Sequence, residues 1–548
     1  MSDDLQNLGS TFWNLLKEPG QMDHRVSSPG PPSTQETPSA VCFNENLVFW
    51  AMRNLPANEA VKNLAIIGCV GSGKTTLIQL FLQSIAPRFL PGFSNAEQLI
   101  IFDGKCDVLP LLVSVGLTPN ADNFYVLNPY DKRCAVWDFA EDARTPLMAR
   151  HLASLLVPVE RHSNAPFFSE SACDLVYAVI LGLNASNMLK WTFRDLICAL
   201  DSRERIKAVT AKSSRAAVIA KRILEDEKHS FGVLSSLGTK LVRFEPVAAL
   251  WHSALNAPKF TIEKFLKRPG VLVIGYDPVL NDSLWPINAL LLKALTQEIL
   301  RRPNSAKPRH WFVLDEFPAM ERVDCIHDLL RRGRSKGASV LLGTQGLESL
   351  NEIYQENVAE DILSQCTYKS FLRAGGPKTA GWAENYFGKV RHGEASLSES
   401  WSKDGYSYSL KHDVVERSMF LASVFMDLPI PGQGRPFFSI NDAPCLGHTL
   451  ISRRWSDQIF SWLRKPDPNC NVQAVEPRNS VEEQTLRDWS KEESEAFMGN
   501  QKVIADHPQP QVNSKLEPVI LPVRTGRGKP QNQSSSNIYI TPNIPTVP

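Results

Sequence analysis

A glycine-rich stretch near the start of the chain has the residue types and the spacing of a phosphate-binding loop. GCVGSGKTT (68–76) contains the pattern G-x-x-x-x-G-K-[S/T], between an apolar run and a run of helix-forming residues. Small residues in such a loop let successive backbone N–H groups point at phosphate oxygens, and the helix that follows adds positive potential. We expect the loop to bind ATP through these residues: Gly68, Gly71, Ser72, Gly73, Lys74, Thr75 and Thr76.

Two adjacent carboxylates follow a second apolar run, in FVLDEFPAM (312–320). If this run is a parallel strand beside the loop strand, Asp315 can join Thr75 around Mg²⁺, and Glu316 can orient and polarise the attacking water. Lys74 is then expected to reach the β- and γ-phosphates. The alternative is an acidic strand end in solvent or an N-cap for the next helix. The phosphate-binding loop upstream favours hydrolysis.

A basic turn and a further strand come next, in LLRRGRSKGASVLLGTQ (329–345). Gln345 ends this strand, where a polar side chain next to the acidic strand can sense the γ-phosphate. Arg334 is a candidate to stabilise transition-state charge, in the site of the next subunit rather than in its own. The alternative is a solvated basic loop, and for Arg331 and Lys336 that interpretation is preferred.

The elements that must position these residues are short runs of β-branched and aliphatic residues. Most are apolar throughout, as in strands that are covered on both faces of a parallel sheet, and helical patterns separate most of them. The runs are 63–69, 98–104, 124–129, 270–277, 310–316, 338–345 and 367–373. From about residue 141 to 255 only helical patterns occur, which predicts an all-α domain inserted into an α/β domain.

Composition limits the classes of protein that the chain can belong to. Of 548 residues, 43 % are hydrophobic and 21 % charged, an ordinary globular balance. Lys plus Arg (59) nearly cancels Asp plus Glu (58), so any basic surface must be local. The ten cysteines form no CxxC pair and no cluster with histidine, which argues against a zinc site or a disulfide framework. No run reaches the length of a membrane span, and the acidic start is unlike a signal peptide, so we expect a soluble chain.

Changes of composition predict five regions. They are an N-terminal segment and linker (1–41), a first part of the nucleotide-binding domain (42–140), the all-α insertion (141–255), a second part of the nucleotide-binding domain (256–465) and a disordered tail (466–548). Within the tail, VEEQTLRDWSKEESEAFM (481–498) can form a short helix.

The insertion carries seven basic residues and one acid in 203–222, which either contact DNA phosphates or form a solvated helix face.

The order of these motifs resembles the type IV coupling proteins, the RecA-like ATPases of bacterial conjugation. The resemblance rests on GCVGSGKTT, on FDGKCD (102–107) as the family's Asp-x-Lys signature, on DEFPAM and on GRSKGASVLLGTQ, and it extends from about residue 42 to 463. It implies a RecA-like P-loop domain interrupted by an all-α domain. It also assigns Lys74, Thr75, Asp315, Glu316 and Gln345 the roles given above, with Arg334 as the trans-acting arginine.

The resemblance implies ATP and Mg²⁺ as cofactors and a homohexamer that binds DNA. The sequence has no base-reading motif, so we expect this binding to be largely independent of DNA sequence. It also implies a relaxase or relaxosome and the channel components of a type IV secretion system as partners. Family members usually begin with two membrane-spanning helices, which this sequence lacks. We therefore expect a bacterial cytoplasmic protein that is attached peripherally to the inner membrane only through a partner. The alternatives are a soluble FtsK- or HerA-type DNA translocase and an ATP-switched receptor that recruits a relaxase or protein effectors.

Overall fold

The computed structural model places strands and helices in alternation along most of the chain. It describes residues 43–51, 53–92, 96–119, 123–159, 166–186, 190–254, 256–277, 281–402, 405–431, 439–442, 444, 449–450, 463–464, 472–478 and 480–499. The strands are β1 (Leu47–Trp50), β2 (Arg53–Pro56), β3 (Leu64–Ile67), β4 (Gln98–Asp103), β5 (Phe124–Leu127), β6 (Val136–Trp137), β7 (Lys259–Phe260), β8 (Gly270–Gly275), β9 (His310–Asp315), β10 (Ala338–Thr344), β11 (Tyr368–Phe371), β12 (Lys389–Ser402), β13 (Gly405–Ser418), β14 (Ile440–Asp442) and β15 (Thr449–Leu450).

The helices are α1 (Lys74–Ile85), α2 (Val108–Ser114), α3 (Phe139–Asp142), α4 (Pro146–Leu156), α5 (Pro166–Ala185), α6 (Phe193–Ala199), α7 (Arg203–Thr210), α8 (Ser214–Leu224), α9 (Glu227–Leu241), α10 (Glu245–Ser253), α11 (Ile262–Phe265), α12 (Asn281–Arg301), α13 (Asp324–Arg332), α14 (Leu347–Ile353), α15 (Glu356–Ser364), α16 (Pro377–Phe387), α17 (Ala422–Asp427), α18 (Val481–Gln484) and α19 (Lys491–Met498). Short 3₁₀ turns join several of them, including Phe317–Ala319 after β9 and Gly333–Lys336 before β10.

A mixed sheet with the strand order β15-β14-β11-β3-β10-β9-β4-β8-β5 forms the centre. The strands from β11 to β5 run parallel, and β14 pairs antiparallel with β11. Every apolar run singled out in the sequence contributes one of these parallel strands. The α/β fold class with an all-α part is thereby confirmed. The loop strand β3 lies next to β10, and β9 lies on the other side of β10.

Alternate residues of each central strand enter different cores, which explains why the runs are apolar throughout. In β4, Ile100 and Phe102 pack into the core on one face of the sheet, whereas Leu99 and Ile101 pack with α1 and α2 on the other. Each strand side chain is therefore removed from water whichever way it points. The C-terminal ends of the parallel strands all meet at one edge, where the phosphate-binding loop begins.

Helices α3 to α10 follow one another between β6 and β7, in the stretch where the sequence predicts the all-α insertion. The two short strands pair in parallel, Val136 with Lys259 and Trp137 with Phe260, and form a neck between the helical part and the sheet. The central helix α5 is long and apolar enough to cross a membrane by length and composition. However, 67 % of its most apolar window is buried inside the protein, as in the core helix of a bundle.

The chain beyond residue 465 differs from the sequence prediction of a disordered tail. Residues 472–478 and 480–499 are described, and they include α18 and α19. Four of their residues are buried: Arg478 (7 % exposed), Trp489 (8 %), Ser494 (8 %) and Phe497 (2 %). The predicted boundary at 466 is therefore wrong for these residues, because a few apolar anchors and charged partners on the helical part order a segment of polar composition. The remainder of the predicted tail, 500–548, lies outside the described residues, as does the N-terminal region 1–41.

A buried ion pair ties the turn after α1 to the start of β4. Arg88 and Glu97 have side chains that are only 2 % and 3 % exposed, and the guanidinium Nη1 lies 3.2 Å from Oε1 of Glu97. The other guanidinium nitrogen donates to the carbonyls of Asn44 and Glu45, and Trp311 Nε1 donates to Glu97 Oε2 at 2.7 Å. Burial raises the pKa of Glu97, and the charge of Arg88 opposes that rise.

Replacing Arg88 by Met should lower the free energy of unfolding by about 3–5 kcal/mol, because it leaves Glu97 buried without its counter-charge. Urea denaturation measures this loss. The control is Arg144→Met, which breaks an exposed pair with Glu141 and should cost at most about 1 kcal/mol. Equal losses in the two variants would contradict a stabilising role for the buried pair.

Candidate nucleotide site

The phosphate-binding loop connects β3 to α1, as its sequence predicts. Gly71 and Gly73 have φ angles of +74° and +103°, in the left-handed region that favours glycine. The backbone N–H of Gly68 donates to the carbonyl of Thr344 at 3.1 Å, and that of Cys69 donates to Arg373 at 2.8 Å, so both neighbouring strands hold the start of the loop. The loop is thus fixed at the C-terminal edge of the sheet, with the N-terminus of α1 behind it.

The side chain of Lys74 is folded back over this loop. Its ammonium group donates to the carbonyl oxygens of Gly68 at 2.7 Å and Cys69 at 3.2 Å, and the residue is only 5 % exposed. Burial lowers the pKa of Lys74, and the charge of Lys105 adds to this, while Glu316 and Asp315 act in the opposite direction. The loop carbonyls and the two carboxylates therefore keep a buried cation at the position where the helix begins.

Asp315 forms an ion pair with a residue that the sequence analysis quoted but did not place in the site, Lys105. The Lys105 ammonium lies 2.6 Å from Asp315 Oδ2 and 3.4 Å from the hydroxyl of Thr75. Asp103, at the end of β4, pairs with Asp315 across the sheet and accepts hydrogen bonds from the backbone N–H groups of Asp107 and Val108. Burial raises the pKa of Asp103 to about 6. The Asp-x-Lys spacing after β4 was the signal that could have identified Lys105.

The oxygens around Lys105 fit a Mg²⁺ site. Oδ1 of Asp315 is buried and has no hydrogen-bond partner, and Oδ2 together with the Thr75 hydroxyl already contacts one cation, the Lys105 ammonium. Mg²⁺ commonly takes only one or two protein oxygens and completes its shell with phosphates and water. The described residues contain no group of three or more His, Cys, Asp or Glu that could hold a metal.

Glu316 has a backbone conformation that is unusual for a residue with a side chain. Its φ of +60° and ψ of +53° lie in the left-handed region, at a cost of about 1–2 kcal/mol. The amide Nε2 of Gln345 donates to Glu316 Oε1 at 3.0 Å, so the two predicted polar strand ends meet. A Cβ on Gly343 would lie 3.0 Å from Asp315 Oδ1 and 3.3 Å from Glu316 N, so a side chain at this point of β10 would crowd both residues. This backbone directs the Glu316 carboxylate towards the loop.

A cavity of about 350 Å³ opens between these groups. Its lining combines the backbone of the loop, two cations and one carboxylate. The lining residues are Cys69, Val70, Gly71, Gly73, Lys74, Thr75, Thr76, Lys105, Glu316 and Pro431. The structure thus brings most of the predicted site residues to one place, with Ser72 directed back into the loop by a hydrogen bond to the carbonyl of Cys69 at 2.7 Å.

Arg334 lies elsewhere. It belongs to the turn that precedes β10, whereas the loop and Gln345 follow the C-terminal ends of β3 and β10. Seven residues of strand separate the two edges, roughly 23 Å at a rise of about 3.3 Å per residue. Arg334 lines a second cavity, of about 800 Å³, together with Glu59, Lys62, Arg331 and Lys336. The chain does not place this arginine in its own nucleotide site.

Comparison with known proteins assigns the chain to a family. The sequence pattern described as the type IV secretion-system coupling protein DNA-binding domain matches residues 50–433. The chain belongs to the type IV coupling protein family. The coupling protein TraD of Escherichia coli (strain K12) is 23 % identical over 351 residues, which are 63 % of this chain. The match spans 46 % of TraD, so it covers less than half of that relative.

Solved structures of the bacterial conjugative coupling protein TrwB share the fold of this coupling-protein chain. The TrwB complex with ADP and Mg²⁺ has a TM-score of 0.58 and 16 % identity, over 80 % of this chain and 94 % of TrwB. The unbound monoclinic form has a TM-score of 0.56 and 18 % identity, over 74 % of this chain and 88 % of TrwB. At these identities the likeness extends to the fold alone.

The basic stretch of this coupling protein, 203–222, forms many hydrogen bonds and ion pairs with other groups of the chain. Most of its cations have partners in the protein, which a sequence pattern cannot reveal. These pairs are Arg203 with the Leu224 carbonyl, Arg205 with Asp488, Lys212 with the Ala496 carbonyl, Lys221 with Glu225 and Arg222 with Asp174. Four cations of this stretch, Lys207, Arg215, Lys221 and Arg222, have exposed side chains and support its interpretation as a surface for DNA phosphates.

Proposed function

We propose that this coupling-protein chain hydrolyses ATP and uses the energy to drive DNA towards a type IV secretion channel during conjugation. The observation that carries the proposal is one cavity at the carboxyl edge of the sheet that Lys74, Lys105 and Glu316 line, with Asp315 bound to Lys105 and Gln345 bound to Glu316. Phosphate binding, metal binding and water activation need these groups together. TrwB, which shares the fold, has been crystallised with ADP and Mg²⁺ and with a non-hydrolysable ATP analogue.

ATP binding begins with Lys74. In the proposed mechanism its ammonium leaves the carbonyls of Gly68 and Cys69 and pairs with the β- and γ-phosphate oxygens, while the loop N–H groups hold the phosphates. Thr75 and Asp315, which now contact Lys105, are the residues that would hold Mg²⁺. When bound, Mg²⁺ neutralises charge on the transferring phosphoryl group. Lys74 thus exchanges its contacts with the loop carbonyls for contacts with the nucleotide.

Hydrolysis depends on Glu316. Its carboxylate lines the cavity opposite Lys74 and is held by the Gln345 amide, so it is positioned to orient a water molecule for attack on the γ-phosphate. Because the same Gln345 amide lies at the end of the neighbouring strand, loss of the γ-phosphate changes what this amide contacts. We propose that Gln345 reports the state of the nucleotide to β10 in this way.

Arg334 completes the site of a neighbouring copy in a homohexamer. Its position at the opposite edge of the sheet supports a role in trans, because Arg334 lines another cavity and no arginine is among the described residues that line the nucleotide cavity. The family description names a DNA-binding domain, and we propose contacts with DNA phosphates, which carry no sequence preference. A relaxase or relaxosome and channel components are the proposed partners.

We place the protein in the bacterial cytoplasm, with attachment to the inner membrane through a partner. The described cysteines are free thiols, as expected in a reducing compartment. Fractionation of cells with and without the secretion machinery measures how much of the protein is bound to the membrane in each case. Tight membrane association of the isolated chain, resistant to high salt, would contradict attachment through a partner.

The test of the motor is ATP turnover with and without DNA, run beside native mass measurements. We expect turnover to rise with DNA of any sequence, to rise less at high salt, and to follow the hexamer population. Unchanged turnover with hexamers present would refute the motor and leave a receptor whose shape ATP switches. Equal stimulation of Lys74→Ala would show that a contaminating ATPase supplies the signal.

A further inference from the structure

A C-terminal segment of the chain, residues 481–498, docks on the all-α part like a bound peptide. We call it the acidic segment. It has six carboxylates and two basic residues: Glu482, Glu483, Asp488, Glu492, Glu493 and Glu495 against Arg487 and Lys491. Its helices α18 and α19 contain only four and eight residues. Helices this short are not stable alone in water, so the order of the acidic segment depends on the surface beneath it.

The anchor of the acidic segment is Trp489, which is 8 % exposed. Its indole Nε1 donates to Asp195 Oδ1 at 3.0 Å, and its ring stacks on Phe497 with centroids 5.1 Å apart. The guanidinium of Arg205 lies 5.3 Å from the centre of the same ring. A buried aromatic ring with a satisfied N–H and a cation over its face is typical of the residue that dominates a peptide interface.

Cations of the all-α part surround this anchor. Arg194, only 2 % exposed, donates to the Asp488 carbonyl at 3.2 Å and to the Glu493 carboxylate. Arg205 pairs with the Asp488 carboxylate, and Lys212 donates to the carbonyl of Ala496. The cations come from α6, from α7 and from the turn after α7. Positive charge therefore lines a groove whose occupant is acidic.

The groove suits a peptide better than a nucleic acid. Asp195 is one of its groups, and a carboxylate that accepts an indole N–H would repel a phosphate. Backbone carbonyls of the acidic segment, at Arg487 and Asp488, accept hydrogen bonds from Arg194. Ser490 and Glu493 form a reciprocal cap at the start of α19, and the same Glu493 pairs with Arg194, so helix formation and docking use one carboxylate.

We propose that the groove formed by Arg194, Asp195, Arg205 and Lys212 is a docking site for acidic, tryptophan-bearing peptide segments. The chain's own acidic segment is its resident ligand. A partner protein that presents a segment of the same chemistry displaces them. The resident is attached to the same chain, so its effective concentration is high and only a partner with several matching contacts competes. The groove is independent of the nucleotide cavity, so the proposal does not rest on ATP hydrolysis.

The experiment uses full-length protein and a fluorescein-labelled peptide of residues 480–499, with binding followed by anisotropy. In Trp489→Ala the resident loses its anchor, and we expect this variant to bind the peptide at least about tenfold more tightly than wild type does. Changing the tryptophan of the peptide to alanine should abolish binding. Arg205→Glu added to Trp489→Ala should weaken it strongly.

Control and alternative variants keep the test decisive. Glu492→Gln changes an exposed carboxylate of the same segment and should bind peptide as weakly as wild type. If Trp489→Ala fails to fold, as judged by circular dichroism, the double variant Asp488→Asn, Glu493→Gln loosens the resident at its charged contacts instead. No binding to a folded variant with a loosened resident would overturn the proposal. Equal binding to that variant and to wild type would place the peptide elsewhere and overturn it too.

Discussion

Replacing Glu316 by Gln should leave ATP binding intact and reduce turnover by at least about 100-fold. The amide keeps the size of the side chain and its contact with Gln345 but cannot polarise water as the carboxylate does.

Replacing Lys74 by Ala should instead abolish nucleotide binding, because Lys74 is the cation closest to the loop carbonyls and pairs with phosphates in the ground state. Fluorescent-nucleotide titration and phosphate release measure the two quantities separately.

The matched control for Glu316→Gln is Glu352→Gln, the same change at an exposed position of α14. It should retain both binding and turnover. Normal turnover in Glu316→Gln would remove Glu316 from the mechanism. Normal nucleotide affinity in Lys74→Ala would mean that the loop N–H groups alone hold the phosphates.

Arg334→Ala should lower turnover by about 10³-fold with little loss of nucleotide affinity, the size expected for an arginine that stabilises transition-state charge from another subunit. The structure supports the trans arrangement because Arg334 and the phosphate-binding loop lie at opposite edges of the sheet. Arg331→Ala, at an exposed position near the end of α13 just before that turn, is the control and should stay close to wild type.

Mixing two inactive variants tests the direction of this contact. In hexamers that contain both Arg334→Ala and Lys74→Ala subunits, some interfaces join an intact loop to an intact arginine. We expect part of the activity to return as the mixing ratio approaches one to one. If mixed hexamers form and stay inactive at every ratio, Arg334 acts within its own chain or not at all.

The nucleotide site could be predicted from the sequence because its parts are local. The loop lies between a strand and a helix that the same stretch encodes, and Asp315, Glu316 and Gln345 end strands whose apolar patterns are unambiguous. Parallel strands bring such ends to one edge whatever their order in the sheet. Lys105 was not predicted as a site residue, because its partner Asp315 is 210 positions away and only the strand order makes them neighbours.

The acidic segment shows where sequence patterns fail. Its polar composition predicts disorder, and the basic stretch 203–222 suggests a surface for nucleic acid. Each interpretation considers one segment in isolation, whereas Arg205 and Asp488, 283 positions apart, neutralise one another. A short-range pattern cannot detect two segments of opposite charge that fold together, so it missed both the order of the acidic segment and the internal partners of the basic stretch.

The neck between the sheet and the helical part has a mechanical consequence. A domain joined by one linker can swivel, and a twist applied to it is lost as rotation. Here two backbone-paired strands, β6 and β7, connect the helices to the sheet, and rotation would have to break their hydrogen bonds. A rotation of the helical part would therefore pull on β7 and, through α11, on β8. That strand lies beside β4, which ends at Asp103, two residues before Lys105. The paired strands therefore resist rotation of the helical part relative to the sheet.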